Sequence, residues 1–66
     1  MAPRPQWWAR GRVMPQDYRR HVVSERDWGR YHLSRPPRGH QWVEVDGNYA
    51  LINMATGIIA SLVQAR

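Results

Sequence analysis

The sequence predicts an α+β fold in which a short helix packs on a small antiparallel β-meander, with three C-terminal strands and room for one short N-terminal strand. Three observations predict it: an alternating C-terminal pattern, a turn-forming Asp46-Gly47 pair, and Ser24 as a cap ahead of a helical segment. The chain has 66 residues and no cysteine. One modest core must therefore form without disulfides.

The meander is read from the C-terminal third of the chain. Residues 41–45 alternate, Asp46-Gly47 suits a two-residue hairpin turn, and residues 49–54 form the return strand. Residues 55–57 then suit a three-residue loop that ends in a left-handed glycine. Residues 58–63 form the third strand.

This register predicts one wholly apolar sheet face and one mixed face. The apolar face carries Val43, Val45, Ala50, Ile52, Met54, Ile58, Ala60 and Leu62. The mixed face carries Trp42, Glu44, Tyr49, Leu51, Asn53, Ile59, Ser61 and Val63. We expect the helix and Trp28 to cover the apolar face. The mixed face is expected either to lie under the N-terminal segment, through Trp7 or Trp8, or to contact a protein partner.

The N-terminal half divides into an arm and the start of the domain. Residues 1–15 are rich in Pro, Trp and Arg and predict an extended arm, and residues 16–66 form a single domain. Within it, residues 16–20 suit one helical turn and residues 21–23 a short strand. The helix is predicted from Glu25 to about His32, before Pro36-Pro37 and Gly39 open a loop.

The charge is strongly basic. Ten arginines face five carboxylates, for a formal net charge of +5. This balance favours anionic lipid, an acidic protein surface or nucleic acid as partner. We expect only weak, sequence-blind contact with nucleic acid. No stretch reaches the roughly 20 apolar residues that span a bilayer.

Metal binding is the chemistry that the side chains suggest. The chain shows no nucleophile motif, phosphate-binding glycine loop or paired histidines on a helix, so an enzyme is not expected. Imidazole and carboxylate suit Ni²⁺ and Co²⁺. His32 and His40 flank one loop and are the first candidate ligands, followed by His21 with Asp17 one helical turn away. No tightly bound cofactor is expected, only weakly held Ni²⁺ or Co²⁺.

An ordered set of motifs runs through residues 13–63. It comprises Pro15 and Tyr18, the Asp27-Trp28 pair before Leu33, Pro36-Pro37 leading into Gly39-His40-Gln41-Trp42, and the stretch WVEVDGNYALINMATGIIASLV. This set resembles the RcnB family of small bacterial periplasmic proteins linked to nickel and cobalt homeostasis. The resemblance implies a periplasmic location and a leader peptide ahead of this chain. It assigns no metal ligand.

The predicted function is a non-enzymatic periplasmic accessory protein in nickel/cobalt homeostasis. It would bind metal weakly or modulate a metal-efflux membrane protein or another envelope protein, with a weak homodimer left open. The alternative is an envelope interaction module that binds an acidic protein or anionic lipid. Its contact surface would be the Arg/Trp arm and the mixed face, through Trp7, Trp8, Trp42 and Tyr49. A cytosolic nucleic-acid binder is the third hypothesis.

Overall fold

A computed structural model describes residues 5–64 of the chain. A 3₁₀ turn at Gln16–Tyr18 and a helix α1 at Glu25–Trp28 precede three strands, β1 at His40–Val45, β2 at Asn48–Asn53 and β3 at Ile59–Val63. The strands form one antiparallel sheet in the order β1-β2-β3. The predicted meander is confirmed.

The β1–β2 hairpin has the predicted turn and register. Asp46 and Gly47 both have positive φ, at 51° and 82°, as a type I′ turn requires. Val45 then lies opposite Asn48 and Val43 opposite Ala50. The turn residues and the alternation of side chains agree here, so the predicted assignment of the β1 and β2 residues to the two sheet faces is confirmed.

The β2–β3 hairpin differs from the prediction by a bulge. Gly57 is left-handed as predicted, with φ 80°, but Leu51 pairs with Ser61 while Ile52 pairs with Ile59, which leaves Ala60 as an extra residue. A bulge reverses the facing of the residues beyond it. Ile59 is therefore buried, and the prediction that Ile58, Ala60 and Met54 face the core is wrong, since Ile58 and Met54 are 40% and 44% exposed.

The apolar sheet face is covered by the N-terminal segment, where we predicted the helix and Trp28. Met14 is fully buried there. It belongs to a cluster of buried side chains that we call the first core: Met14, Val43, Val45, Ala50, Ile52 and Ile59. The half-buried Trp7 and Trp8 pack against this core. Backbone hydrogen bonds hold the segment along β3, from Gly11 N–H to the Ile59 carbonyl (2.9 Å) and from Ile59 N–H to the Arg12 carbonyl (2.8 Å). Part of the predicted arm thus belongs to the folded unit.

The mixed face is covered by residues 23–33, where we predicted the arm or a partner. The second core consists of Val23, Leu33, Trp42, Tyr49 and Leu51, with Trp28 and Val63 packed against it. The two covering segments are therefore exchanged relative to the prediction. Burial is non-directional, so apolar side chains alone do not tell which segment covers which face.

The helix is shorter than predicted. α1 ends at Trp28 and buries none of its residues completely, so it touches the second core only through the half-buried Trp28. The chain continues through turns to a Schellman-type end, in which Leu33 N–H donates to the Trp28 carbonyl (2.7 Å) and His32 N–H to the Gly29 carbonyl (3.2 Å). His32 is left-handed at this end, with φ 59°.

The N-terminal strand is reduced to a single bridge. Val22 pairs with Val43 at the outer edge of β1. Likewise, the predicted helical turn over residues 16–20 is a 3₁₀ turn that ends at Tyr18. No helix within residues 5–64 is long and apolar enough to cross a bilayer.

Candidate metal-binding groove

A row of three polar side chains crosses the sheet from the His21 segment to β2. Because Val22 pairs antiparallel with Val43, His21 lies directly opposite Glu44, whose N–H donates to the His21 carbonyl (3.0 Å). Glu44 lies in turn opposite Tyr49 on β2. Cβ atoms of directly opposite residues are about 4.5–5.5 Å apart. The row therefore runs without a gap from the exposed His21 and Glu44 to the buried Tyr49.

Two adjoining grooves meet at this row. One has a volume of about 260 Å³ and is lined by His21, Val22, Val23, Ser24, Asp27, Tyr31, Glu44 and Tyr49. The other is lined by Tyr18, His21, Glu44, Val45 and Asp46. His21 and Glu44 line both. The first groove is smaller than the ~300–1,000 Å³ of ligand pockets that enclose organic molecules, so an ion or a single side chain fits it better.

The grooves concentrate negative charge in a chain that is basic overall. Burial, followed by the charges of Tyr31, Glu44 and Asp27, raises the pKa of Tyr49 above its usual 10.0. Tyr31 stacks on Tyr49 with ring centroids 5.1 Å apart. Asp27 is oriented by the Ser24 hydroxyl, which donates to Oδ2 (3.0 Å). Asp27 also pairs with Arg30 at 3.9 Å, so Glu44 is the carboxylate of this groove that stays open to a cation.

The donor set of the row suits a weakly held transition-metal ion. His21 offers an imidazole nitrogen and Glu44 a carboxylate, and both side chains are exposed. Within residues 5–64, no group of three or more His, Cys, Asp or Glu side chains is placed to hold a metal ion. A metal at the row would thus have two protein ligands, with water completing its coordination.

Comparison with known families bears on this chemistry. A family model described as RcnB, nickel/cobalt transporter regulator, matches residues 11–61, which is most of the chain.

The chain belongs to the RcnB family.

Searches of curated proteins and of solved structures found no match. The RcnB match contains His21, Glu44 and Tyr49, and it begins at Gly11, where the N-terminal segment starts its hydrogen bonding to β3. Trp7 and Trp8 lie outside the match. The RcnB region therefore covers β1, β2, the first part of β3 and the segments that hydrogen-bond to the two edges of the sheet.

The first predicted ligand pair within the RcnB region, His32 and His40, lies outside both grooves. His32 is exposed at the end of the turns that follow α1. The Nδ1 atom of His40 is 3.1 Å from the Arg38 carbonyl oxygen. A carbonyl can only accept, so in the neutral imidazole this hydrogen bond requires the proton on Nδ1, and the lone pair then lies on Nε2. Their role as ligands stays a prediction.

The second predicted pair is separated by the local fold. The 3₁₀ turn ends at Tyr18, so Asp17 and His21 do not lie on one helix. Asp17 lines a different groove, with Arg19 and Met54 among its neighbours. In the RcnB region of this chain, the carboxylate that lies opposite His21 is that of Glu44.

The predicted interaction residues lie mainly in the two cores. Trp42 and Tyr49 are only 3% and 6% exposed, and the Trp42 Nε1–H donates to the Ser34 carbonyl (2.7 Å). Trp7 packs edge-on against Trp8, with ring centroids 5.8 Å apart, and in a tilted arrangement against Tyr18, with centroids 4.8 Å apart. Partner contact by these aromatics stays a prediction, and it would have to use the open margins of Trp7 and Trp8.

Glu44 and Tyr31 are the groove residues that sequence reasoning missed as functional candidates. Glu44 was placed correctly on the mixed face, but its neighbour His21 is brought there by one isolated bridge. The two residues are 23 positions apart, and no turn or repeat pattern in the sequence links them. A polar residue between two buried ones, Val43 and Val45, is the only local signal for Glu44.

Proposed function

We propose that this chain is a non-enzymatic regulator of nickel/cobalt transport, that it works in the periplasm, and that it binds Ni²⁺ or Co²⁺ weakly at His21 and Glu44. The observation that carries the proposal is the match of residues 11–61 to a family of nickel/cobalt transporter regulators. Its target would be a metal-efflux membrane protein.

The row His21–Glu44–Tyr49 supports the proposal that this chain binds a metal ion. Glu44 carries a carboxylate that no ion pair within residues 5–64 neutralises, so its charge remains available to a cation. His21 and Glu44 lie at the exposed end of the row, where water can complete the coordination of an ion. Weak and reversible binding suits a regulator, since occupancy then follows the metal concentration.

A titration of the folded protein with NiCl₂, followed by NMR, tests the site. We expect selective broadening of resonances around His21 and Glu44, and we expect it to fade on acidification because a protonated imidazole has no lone pair for the metal. Glu44→Gln and His21→Ala should each remove the selective effect. The double variant His32→Ala/His40→Ala is the matched control and should retain it.

Two outcomes would contradict this site. Loss of the effect in His32→Ala/His40→Ala, with retention in His21→Ala, would move the site to the loop before β1. Uniform broadening in every variant would mean that the protein has no defined metal site. The regulatory proposal itself is tested separately by measuring nickel and cobalt efflux in cells with and without the gene, together with the protein's presence in the periplasmic fraction.

A further inference from the structure

A third groove lies beside the 3₁₀ turn and carries the opposite charge. It has a volume of about 400 Å³ and is lined by Gln16, Asp17, Arg19, Arg20 and Met54. It shares no lining residue with the two grooves at His21. The two arginines outnumber the single carboxylate, so the groove favours an anion.

Arg19 is held in place before any ligand arrives. Its Nε–H donates to the Met14 carbonyl (2.8 Å). Its guanidinium packs over Gly57, in the space that a Cβ atom at position 57 would occupy. Within the described residues, the hydrogen bond found for this guanidinium uses Nε alone, so the Nη groups remain available as donors. A fixed guanidinium loses less side-chain entropy on binding than a freely moving one.

Neither arginine of the groove has a carboxylate partner within the described residues. The ion pair found in residues 5–64 joins Arg30 and Asp27 at 3.9 Å, so Asp17 does not neutralise Arg19 or Arg20 although it lines the same groove. The formal charge of the lining is +1, from two arginines and one aspartate. Such a lining is balanced by one monoanion.

We propose that this groove binds a carboxylate side chain from an acidic segment of a partner protein. A guanidinium matches a carboxylate in a bidentate geometry, and the exposed Met54 offers apolar contact to the aliphatic part of a glutamate. Asp17 repels a dianionic phosphate more strongly than a singly charged carboxylate, because the repulsion grows with the charge of the ligand. The proposal does not depend on metal binding at His21 and Glu44, so either can fail alone.

A membrane surface fits this groove less well than a peptide. Arg19 is half-buried, whereas Arg10, Arg12, Arg35 and Arg38 are exposed. A flat anionic bilayer would meet the exposed arginines first and would not select the recessed one. A peptide side chain can enter the groove and reach Arg19.

The test is an NMR titration of the whole chain with a peptide of alternating Glu and Gly, at about 0.15 M salt to screen general attraction. The same peptide with Gln in place of Glu, inorganic phosphate, and phosphatidylglycerol vesicles are run in parallel. We expect the Glu peptide alone to shift the amides of residues 16–20 and Met54. Arg20→Gln should weaken its binding by about fivefold.

Arg26→Gln is the matched control, because it removes the same charge from an exposed arginine that does not line the groove. It should weaken binding by less than about twofold. Arg19→Lys keeps the charge but loses the planar fork, and it should weaken binding while the thermal midpoint reports that the fold persists. Equal losses in Arg20→Gln and Arg26→Gln, equal shifts with phosphate, or stronger binding to vesicles would each overturn the proposal.

Discussion

The guanidinium of Arg19 occupies the space in which any residue other than glycine at position 57 would place its Cβ. Two hydrogen bonds continue this contact, from Arg19 Nε–H to the Met14 carbonyl (2.8 Å) and from Met14 N–H to the Gly57 carbonyl (2.9 Å). Gly57 also has φ 80°. The left-handed backbone therefore favours glycine at this position, and a side chain there would displace the Arg19 guanidinium. The contact joins the N-terminal segment to the β2–β3 turn.

Substitution of Gly57 should destabilise the protein strongly. Gly57→Ala should lower the free energy of unfolding by about 1–2 kcal/mol through the left-handed backbone alone, with a further loss from displacing Arg19, and Gly57→Val should cost more. Gly39→Ala is the control, because Gly39 has φ 81° with open space where its Cβ would lie. Denaturant unfolding of both, in wild-type and Arg19→Ala backgrounds, separates the two costs. Equal losses at Gly39 and Gly57, unchanged by Arg19→Ala, would show that the contact is unimportant.

The two core tryptophans should respond differently to replacement by phenylalanine. Trp42 donates its indole N–H to the Ser34 carbonyl at 2.7 Å, whereas the buried indole N–H of Trp28 has no hydrogen-bond partner within the described residues. We expect Trp42→Phe to cost about 1–3 kcal/mol more than Trp28→Phe in thermal or denaturant unfolding. Similar losses for the two variants would mean that packing area outweighs the hydrogen bond.

His32→Gly should stabilise the protein. His32 has φ 59° at the position where a Schellman-type end favours glycine. Removing the side chain relieves this strain, and we expect a gain of about 0.5–1 kcal/mol in the free energy of unfolding. His32→Ala retains the strain and should change stability little. Loss of nickel binding in the stabilised His32→Gly variant would argue for His32, and against His21, as the ligand.

Stability should fall at alkaline pH through Tyr49. Burial, with the charges of Tyr31, Glu44 and Asp27, raises its pKa in the folded protein above the usual 10.0. The folded state therefore holds the phenol proton more tightly than the unfolded state. This contribution is complete below pH 10.0 and is lost as the pH rises through the folded pKa. As the pH rises above 10.0, the midpoint of thermal unfolding should fall less steeply for Tyr49→Phe than for the wild type. Equal declines in the two proteins would show that Tyr49 is not the cause.

The exchange of the two covering segments shows where sequence reasoning stops. Each face of the sheet needs an apolar cover, and the chain offers two: Trp7, Trp8 and Met14 before the 3₁₀ turn, and Val23, Trp28 and Leu33 after it. Both sets are of similar size and lie in segments with little regular structure. Their assignment to faces depends on which edge strand each segment meets, and the sequence carries no local mark of that.

The sequence predicts the residues of the candidate site but not their contact across the sheet. His21 and the mixed-face position of Glu44 follow from the sequence, since residue types and strand alternation are local properties. Their opposition across the Val22–Val43 bridge does not. Asp17 and His21 would lie one turn apart only on a continuous helix, and the chain makes a short 3₁₀ turn there that ends at Tyr18.

By itself the sequence determined the β1–β2 hairpin, the left-handed Gly57 and the family resemblance, because each depends on residues that are neighbours in the chain or on an ordered motif. Positive φ at Asp46 and Gly47 and at Gly57 confirms the turn chemistry. Only the tertiary structure decided the bulge at Ala60, the cover of each face and the rows of residues across the sheet. These features depend on contacts between segments that are distant in the chain. The hydrophobic effect is non-directional, so several arrangements of the covering segments are compatible with the same sequence pattern, and only the packing of the whole chain selects one.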